Sequence, residues 1–85
     1  MSRLLVTNEH INSAWGNANF GIKDTAENRR KYILCALMKC AMGYYNGFTA
    51  MSILKELRLL DAKGLPNKKG RLFLTELYDD LAYKP

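Results

Sequence analysis

The chain has 85 residues, of which 48% are hydrophobic, and its thirteen basic and eight acidic residues give a net charge of +5 and a pI near 9.4. This length excludes more than one sizeable domain, and the hydrophobic fraction is not that of a disordered chain. One histidine and two cysteines, Cys35 and Cys40, are too few ligands for a structural zinc site. The two cysteines lie five residues apart on one predicted helix and point in different directions, so they cannot form an internal disulfide. We therefore expect a single domain over residues 1–85, without a metal or cofactor.

The N-terminal residues MSRLLVTNEH contain only a short apolar run, far less than a secretory signal requires. Free thiols persist in reducing compartments. Both observations favour an intracellular, cytoplasmic protein that does not span a membrane.

The first helix is predicted from Thr7, which can cap it, to Ala14 or Trp15. The following segment, residues 16–23, contains two glycines and two asparagines and is predicted to be a loop. Two interpretations remain open for Trp15 and Phe20: they pin this loop onto the bundle, or they form an exposed contact site for a partner.

Residues 32–45, YILCALMKCAMGYY, contain a single charge, Lys39, and predict a buried central helix. It is too short to cross a bilayer, which takes roughly 20 residues. Two apolar ladders run along it at helical spacing, and each needs a partner face: Leu34, Met38, Ala41 and Tyr45, and Ile33, Leu37, Cys40 and Tyr44. Both cysteines are expected to be inert core residues.

The central helix is predicted to begin near Thr25, because Asp24 and Glu27 have the spacing of a capping box. It is predicted to end at Tyr44 or Tyr45, just before Asn46-Gly47, although Gly43 could also act as an early C-cap. The cations of residues 29–31 oppose the helix dipole in its first turns. Either a bound phosphate or the carboxylates of Asp24 and Glu27 would offset this unfavourable interaction.

A third helix is predicted from a Thr49 cap to about Asp61, and a last helix after a cap at Asn67. A minimal extended segment is expected between them, around Leu59 to Leu65. The last helix should bury one apolar face, with Leu74 at its margin: Leu72, Phe73, Leu77, Tyr78 and Leu81. The fold class is therefore all-α, a compact bundle of three to four helices around a buried central helix.

Charge is concentrated in residues 55–71, where six basic residues and two acidic ones leave a net charge of +4. Such clustering suits a polyanion. The central and third helices, joined by Asn46-Gly47-Phe48, also follow the helix-turn-helix pattern, in which the second helix reads DNA.

The continuation LRLLDAKGLPNKKGRLFL resembles a segment common in winged-helix proteins and in small phage or prophage-encoded proteins. Arg58 stands where that pattern has a glycine and Asn67 where it has a threonine, and the gap from Leu60 to Pro66 leaves room only for a vestigial wing. The resemblance implies a winged-helix-like bundle and DNA binding. Lys68, Lys69 and Arg71 would then hold a phosphate at the N-terminus of the last helix.

We expect a binding protein and not an enzyme, because His10 has no identifiable catalytic partner. For DNA binding the candidate residues are Ser52 and Glu56 at base edges, with phosphate contacts from Lys55, Arg58, Lys63, Lys68, Lys69 and Arg71. The alternative is a protein-interaction module that occupies a host protein or forms a homodimer. Its hot spots would be large aromatic side chains: Trp15, Phe20, Tyr44, Tyr45 and Phe48.

Overall fold

The computed structural model describes the backbone of residues 6–82 and the side chains of residues 6–77. It contains four helices: α1 (Asn8–Trp15), α2 (Ala26–Ala41), α3 (Phe48–Glu56) and α4 (Lys68–Ala82). Residues 6–82 contain no β-strand, and none of their helices is long and apolar enough to cross a bilayer. The predicted all-α class is confirmed.

Helix α1 begins where the sequence predicts it. The Thr7 hydroxyl accepts a hydrogen bond from the His10 backbone N–H at 3.1 Å, and the His10 ring accepts one from the Thr7 N–H at 3.5 Å. This reciprocal pair satisfies two amides that a helix start leaves free. Ile11 and Trp15, one turn apart, are the residues of α1 that enter the core.

Helix α2 begins after Thr25, whose hydroxyl accepts from the Asn28 N–H at 3.1 Å. The predicted capping box of Asp24 and Glu27 is therefore wrong, although the predicted start is right. The Asp24 carboxylate is engaged by the Arg29 side chain instead. A threonine one position later supplies the side-chain acceptor that the helix start needs.

Helix α2 ends at Ala41, so the predicted end at Tyr44 or Tyr45 is wrong. Gly43 takes a left-handed conformation with φ of +85°, its N–H donates to Cys40 O at 3.0 Å, and Tyr44 N–H donates to Lys39 O at 2.9 Å. These two bonds form a Schellman motif, which a glycine favours. Gly43 is the early C-cap, and both tyrosines lie in the loop that follows.

Helix α2 lies at the centre of the bundle and contacts each of the other three helices. Of its two predicted apolar ladders, Ile33, Leu37 and Cys40 are buried as expected. In the other ladder Leu34 is buried, but Met38 is 36% exposed and Tyr45 74% exposed. Ala41 and Cys35 are also exposed, so the prediction that both cysteines are core residues is wrong for Cys35.

Helix α3 starts at Phe48, after Gly47, and has no side-chain cap, so the predicted Thr49 cap is wrong. It ends at Glu56, earlier than the predicted Asp61, in a second Schellman motif. Here Arg58 takes the left-handed conformation with φ of +59°, and its N–H donates to Lys55 O at 2.9 Å. Because Arg58 turns the chain, Leu59 enters the core at 0% exposure.

Residues 57–67 link α3 to α4, and they include a short extended segment closed by a tight turn, near the place that the sequence predicts. Leu60 and Pro66 form one antiparallel bridge, and Asp61 N–H donates to Leu65 O at 2.7 Å. The Asp61 carboxylate accepts from the backbone amides of Lys63 and Leu65 at 2.8 and 3.1 Å. The segment is thus closed locally by its own backbone and one carboxylate, and is far smaller than a two-stranded wing.

Asn67 caps α4 as predicted, because its side-chain oxygen accepts from the Gly70 N–H at 2.8 Å. Phe73 is fully buried, and Leu74 and Leu77 pack against the core. Leu72 is 46% exposed, so its assignment to the buried face is wrong. The side chains of Tyr78 and Leu81 lie outside the described residues.

Gly70 offers a direct test of how α4 docks. A Cβ at Gly70 would lie 2.3 Å from Leu59 O, a backbone atom, so Gly70→Ala must push the first turn of α4 away from Leu59. We expect the free energy of unfolding, measured by urea denaturation, to fall by about 2–3 kcal/mol. Gly21→Ala is the control: no atom lies within 4 Å of its Cβ, and only the left-handed backbone opposes it, at a cost of about 1 kcal/mol. A Gly70→Ala loss no larger than the Gly21→Ala loss would contradict this close approach.

Candidate nucleic-acid interface

The six basic residues predicted to contact phosphates belong to one continuous region. Lys55 and Arg58 lie at the end of α3, Lys63 lies in the tight turn, and the others lie in the first turn of α4: Lys68, Lys69 and Arg71. We call residues 55–71 the basic end. Lys69 is half-buried, and the other five are exposed.

Hydrogen bonds between the end of α3 and the start of α4 hold the basic end together. The Asn67 side-chain amide donates to Arg58 O at 2.9 Å, and the Lys69 ammonium donates to Leu57 O at 3.3 Å. Arg71 donates to Pro66 O at 3.1 Å. Lys69 and Arg58 also line one cleft of about 230 Å³ next to α1. The structure therefore brings together cations that lie more than ten residues apart in sequence.

No carboxylate among the described side chains forms an ion pair with a cation of the basic end. Among the described side chains, the ion pairs are Arg29–Asp24, Arg30–Glu76 and Lys31–Glu27, and none of them involves residues 55–71. The carboxylate of Asp61 accepts from backbone amides of its own turn. The basic end therefore presents positive charge that is free to attract an anion.

The second basic cluster, residues 29–31, has the opposite character. Arg29 donates to both Asp24 oxygens at 2.5 and 2.9 Å, and Lys31 lies 3.2 Å from Glu27. Arg30 lies 3.1 Å from Glu76 and also donates to Val6 O and to Asn8. Of the two explanations for these cations, carboxylate pairing is confirmed, with Glu76 as an addition that sequence spacing gave no sign of.

Arg58 occupies a backbone conformation that an L-residue adopts at a cost of roughly 1 kcal/mol. The matching position in α2 is held by Gly43, which adopts this conformation freely. The glycine expected there from the winged-helix resemblance would fit the turn better. An arginine at this position therefore adds a charge to the basic end at the expense of backbone stability.

Ser52 and Glu56, the residues predicted to reach base edges, are both exposed. They line a cleft of about 420 Å³ between α3 and α1, opposite Ser13 and Asn17. The loop from α2 to α3 spans residues 42–47, longer than the predicted turn because α2 ends early.

Trp15 is not available as a surface contact, so its assignment as a partner-binding residue is wrong, whereas the assignment of Phe20 stays a prediction. Trp15 is only 4% exposed, and Phe20 is half-buried. Their ring centroids lie 5.1 Å apart, and Phe20 stacks on Tyr32 at 4.2 Å. The Trp15 ring N–H donates to Ala18 O at 3.0 Å, which fixes the loop on the bundle. The alternative interpretation, that these rings pin the loop, is confirmed.

The other three predicted aromatics lie on the surface. Tyr44 is 63% exposed, Tyr45 74% and Phe48 81%, and the neighbouring Met42 is 65% exposed. We call these four residues the aromatic patch. Sequence reasoning missed Met42, because it placed this residue inside a longer helix; Gly43 was the signal that the helix stops first.

The side chains described, those of residues 6–77, bring together no group of three histidines, cysteines or carboxylates that could hold a metal ion. No protein family matches the chain, and no characterised protein or solved structure is significantly similar to it. The resemblance to winged-helix and phage proteins therefore stays a prediction, and arguments about function rest on the two surfaces described above.

The pairing of Arg29 with Asp24 can be measured through the pKa of Asp24. The Arg29 guanidinium donates hydrogen bonds to the Asp24 carboxylate and so holds the pKa of Asp24 below its usual range. Because the folded-state pKa is lowered, the stabilisation from this pair is present above the unfolded-state pKa and is lost as the pH falls. We expect Arg29→Gln to raise the Asp24 pKa, followed by NMR, towards the usual value of about 3.9. Lys31→Gln should leave it unchanged, and an Asp24 that titrates normally in the wild type would contradict the pairing.

The backbone cost of Arg58 predicts that Arg58→Gly stabilises the fold. We expect the free energy of unfolding, from urea denaturation, to rise by about 0.5–1 kcal/mol. The matched control is Gly43→Arg, which places the same side chain in the same motif at the end of α2 and should lower stability by a similar amount. A loss of stability in Arg58→Gly would show that the arginine side chain is itself a structural element.

Proposed function

We propose that this protein binds nucleic acid, most favourably double-stranded DNA, through its basic end. The observation that supports this proposal is the division of charge between the two basic clusters. Residues 29–31 are paired with carboxylates, whereas the six cations of the basic end have no carboxylate partner among the described side chains. Unpaired cations gathered at one end of a protein of net charge +5 favour a polyanionic partner.

Binding would draw its free energy from counterion release. Each phosphate that a lysine or arginine neutralises frees condensed counterions, so affinity falls with rising salt. With all six cations engaged, the slope of log affinity against log salt would approach about −5. Lys68, whose side chain is exposed at the N-terminus of α4, would act together with the helix dipole.

Arg58 also supports this proposal, because it places a positive charge in the basic end although its left-handed backbone conformation lowers stability. A residue held in a sparsely populated conformation points to a role that a better-fitting residue could not fill. Glycine would fit the turn but would remove a cation from the cleft that Arg58 shares with Lys69. In the helix-turn-helix arrangement that we propose, α3 would present Ser52 and Glu56 to base edges while the basic end holds the phosphates.

A charge-matched pair of variants tests the proposal. Lys55→Glu with Lys68→Glu changes two exposed residues of the basic end, and Lys23→Glu with Lys39→Glu changes two exposed lysines elsewhere. Each double variant lowers the net charge by four, from +5 to +1. We expect the first pair to weaken binding to a labelled random-sequence duplex by at least about tenfold more than the second, and to reduce the salt slope by about 2. Fluorescence anisotropy at several salt concentrations measures both quantities.

Equal weakening by the two double variants would show attraction to net charge alone, and would contradict a site at the basic end. No binding by the wild type at low salt would overturn the proposed function. Unchanged helical circular dichroism in both variants makes the comparison valid.

A protein-interaction module is the second candidate function. It is favoured by the aromatic patch, because exposed apolar patches often mark interaction sites. A host protein or a second copy of the chain would be its partner.

A further inference from the structure

The aromatic patch lies in the longest uncharged stretch of the chain. Residues 40–54, CAMGYYNGFTAMSIL, contain no charged residue, and Lys39 and Lys55 lie at its two ends. Phe48 at 81% exposure and Tyr45 at 74% leave most of their rings in water. Large aromatics dominate binding energy where a partner covers them.

Helix α2 extends this exposed surface. Of its two apolar ladders, the bundle covers Ile33, Leu37 and Cys40 in one and Leu34 in the other. On the other side Cys35, Met38 and Met42 are exposed and follow one another at helical spacing, so they form a strip that leads into the patch. The described residues therefore leave this strip of α2 uncovered.

The exposed area approaches what a stable interface needs. A tyrosine or phenylalanine buries roughly 150–250 Å² when it is covered completely. At 63–81% exposure the three rings offer roughly 300–600 Å², and the strip on α2 adds to this area. Each partner in a stable complex contributes about 800 Å².

We infer that a second copy of this chain covers the aromatic patch, forming a two-fold symmetric dimer. In such an interface the same surface meets itself, so apolar side chains face apolar side chains. Two chains of net charge +5 repel each other, and an uncharged face allows their close approach while Lys39 and Lys55 stay at its rim. The inference does not depend on DNA binding.

The dimer leaves the basic end free. The patch includes Phe48, the first residue of α3, and the basic end begins at Lys55, in the last turn of the same helix. Six residues of helix lie between Phe48 and Lys55, which separates the two surfaces by roughly 10 Å along the axis. Two copies joined at the patch would thus present two basic ends away from their interface.

Sedimentation equilibrium over a range of protein concentrations tests this inference. We expect the wild type to reach twice the monomer mass of 9.7 kDa, and Tyr45→Ser with Phe48→Ser to weaken dimerisation at least ~30-fold. The matched control is Leu65→Ser with Leu72→Ser, which replaces two exposed apolar residues outside the patch and the strip on α2 and should dimerise like the wild type. Circular dichroism establishes that each variant is folded.

Cys35 provides an independent readout of proximity. It is exposed whereas Cys40 is only 2% exposed, so a nitroxide reagent should modify Cys35 selectively. We expect dipolar coupling between the labels of two wild-type copies, and its loss in Tyr45→Ser with Phe48→Ser. A wild type of 9.7 kDa at all concentrations would overturn the dimer and leave the patch to a different protein. Undiminished dimerisation of the double variant would place the interface elsewhere.

Discussion

Asn67 is the residue on which the geometry of the basic end depends. Its side-chain oxygen caps α4, its side-chain amide donates to Arg58 O and Leu60 O, and its backbone N–H donates to Leu59 O. One residue thereby starts a helix, ends another and closes the turn between them. Gly70 completes the arrangement, because only a residue without Cβ lets α4 approach Leu59 O. This junction brings the cations at the end of α3 next to those at the start of α4.

Local signals predicted much of the fold, because caps and turns depend on few neighbouring residues. Thr7 and Asn67 cap helices as expected, and the all-α class followed from helical periodicity. The predicted end of α2 was wrong because the apolar run continues past Gly43, and periodicity alone does not show where a glycine ends a helix. The pairing of Arg30 with Glu76 was also beyond prediction, since these residues are far apart in sequence and meet only through packing. For the candidate site, the sequence identified the cations, but only the structure distinguished paired from unpaired ones.

That distinction gives the two basic clusters different roles. Arg29 and Arg30 contribute to the fold, since each holds a carboxylate and lies over an aromatic ring. In the basic end, Lys69 and Arg71 donate to backbone carbonyls and no described carboxylate pairs with the cations, while Arg58 lowers backbone stability. The aromatic patch is likewise more exposed than folding alone requires. Binding is the role that we propose for both surfaces, and α3 keeps them apart at its two ends.

Backbone amide chemical shifts, recorded while a DNA duplex is titrated into the protein at low salt, test the central claim most directly. We expect the largest shifts within residues 55–71 and only small ones within residues 26–31, whose cations are already paired. The aromatic patch should also be little affected at constant protein concentration, because it contains no charge. Shifts that centre on residues 26–31 or on the patch would contradict a nucleic-acid site at the basic end.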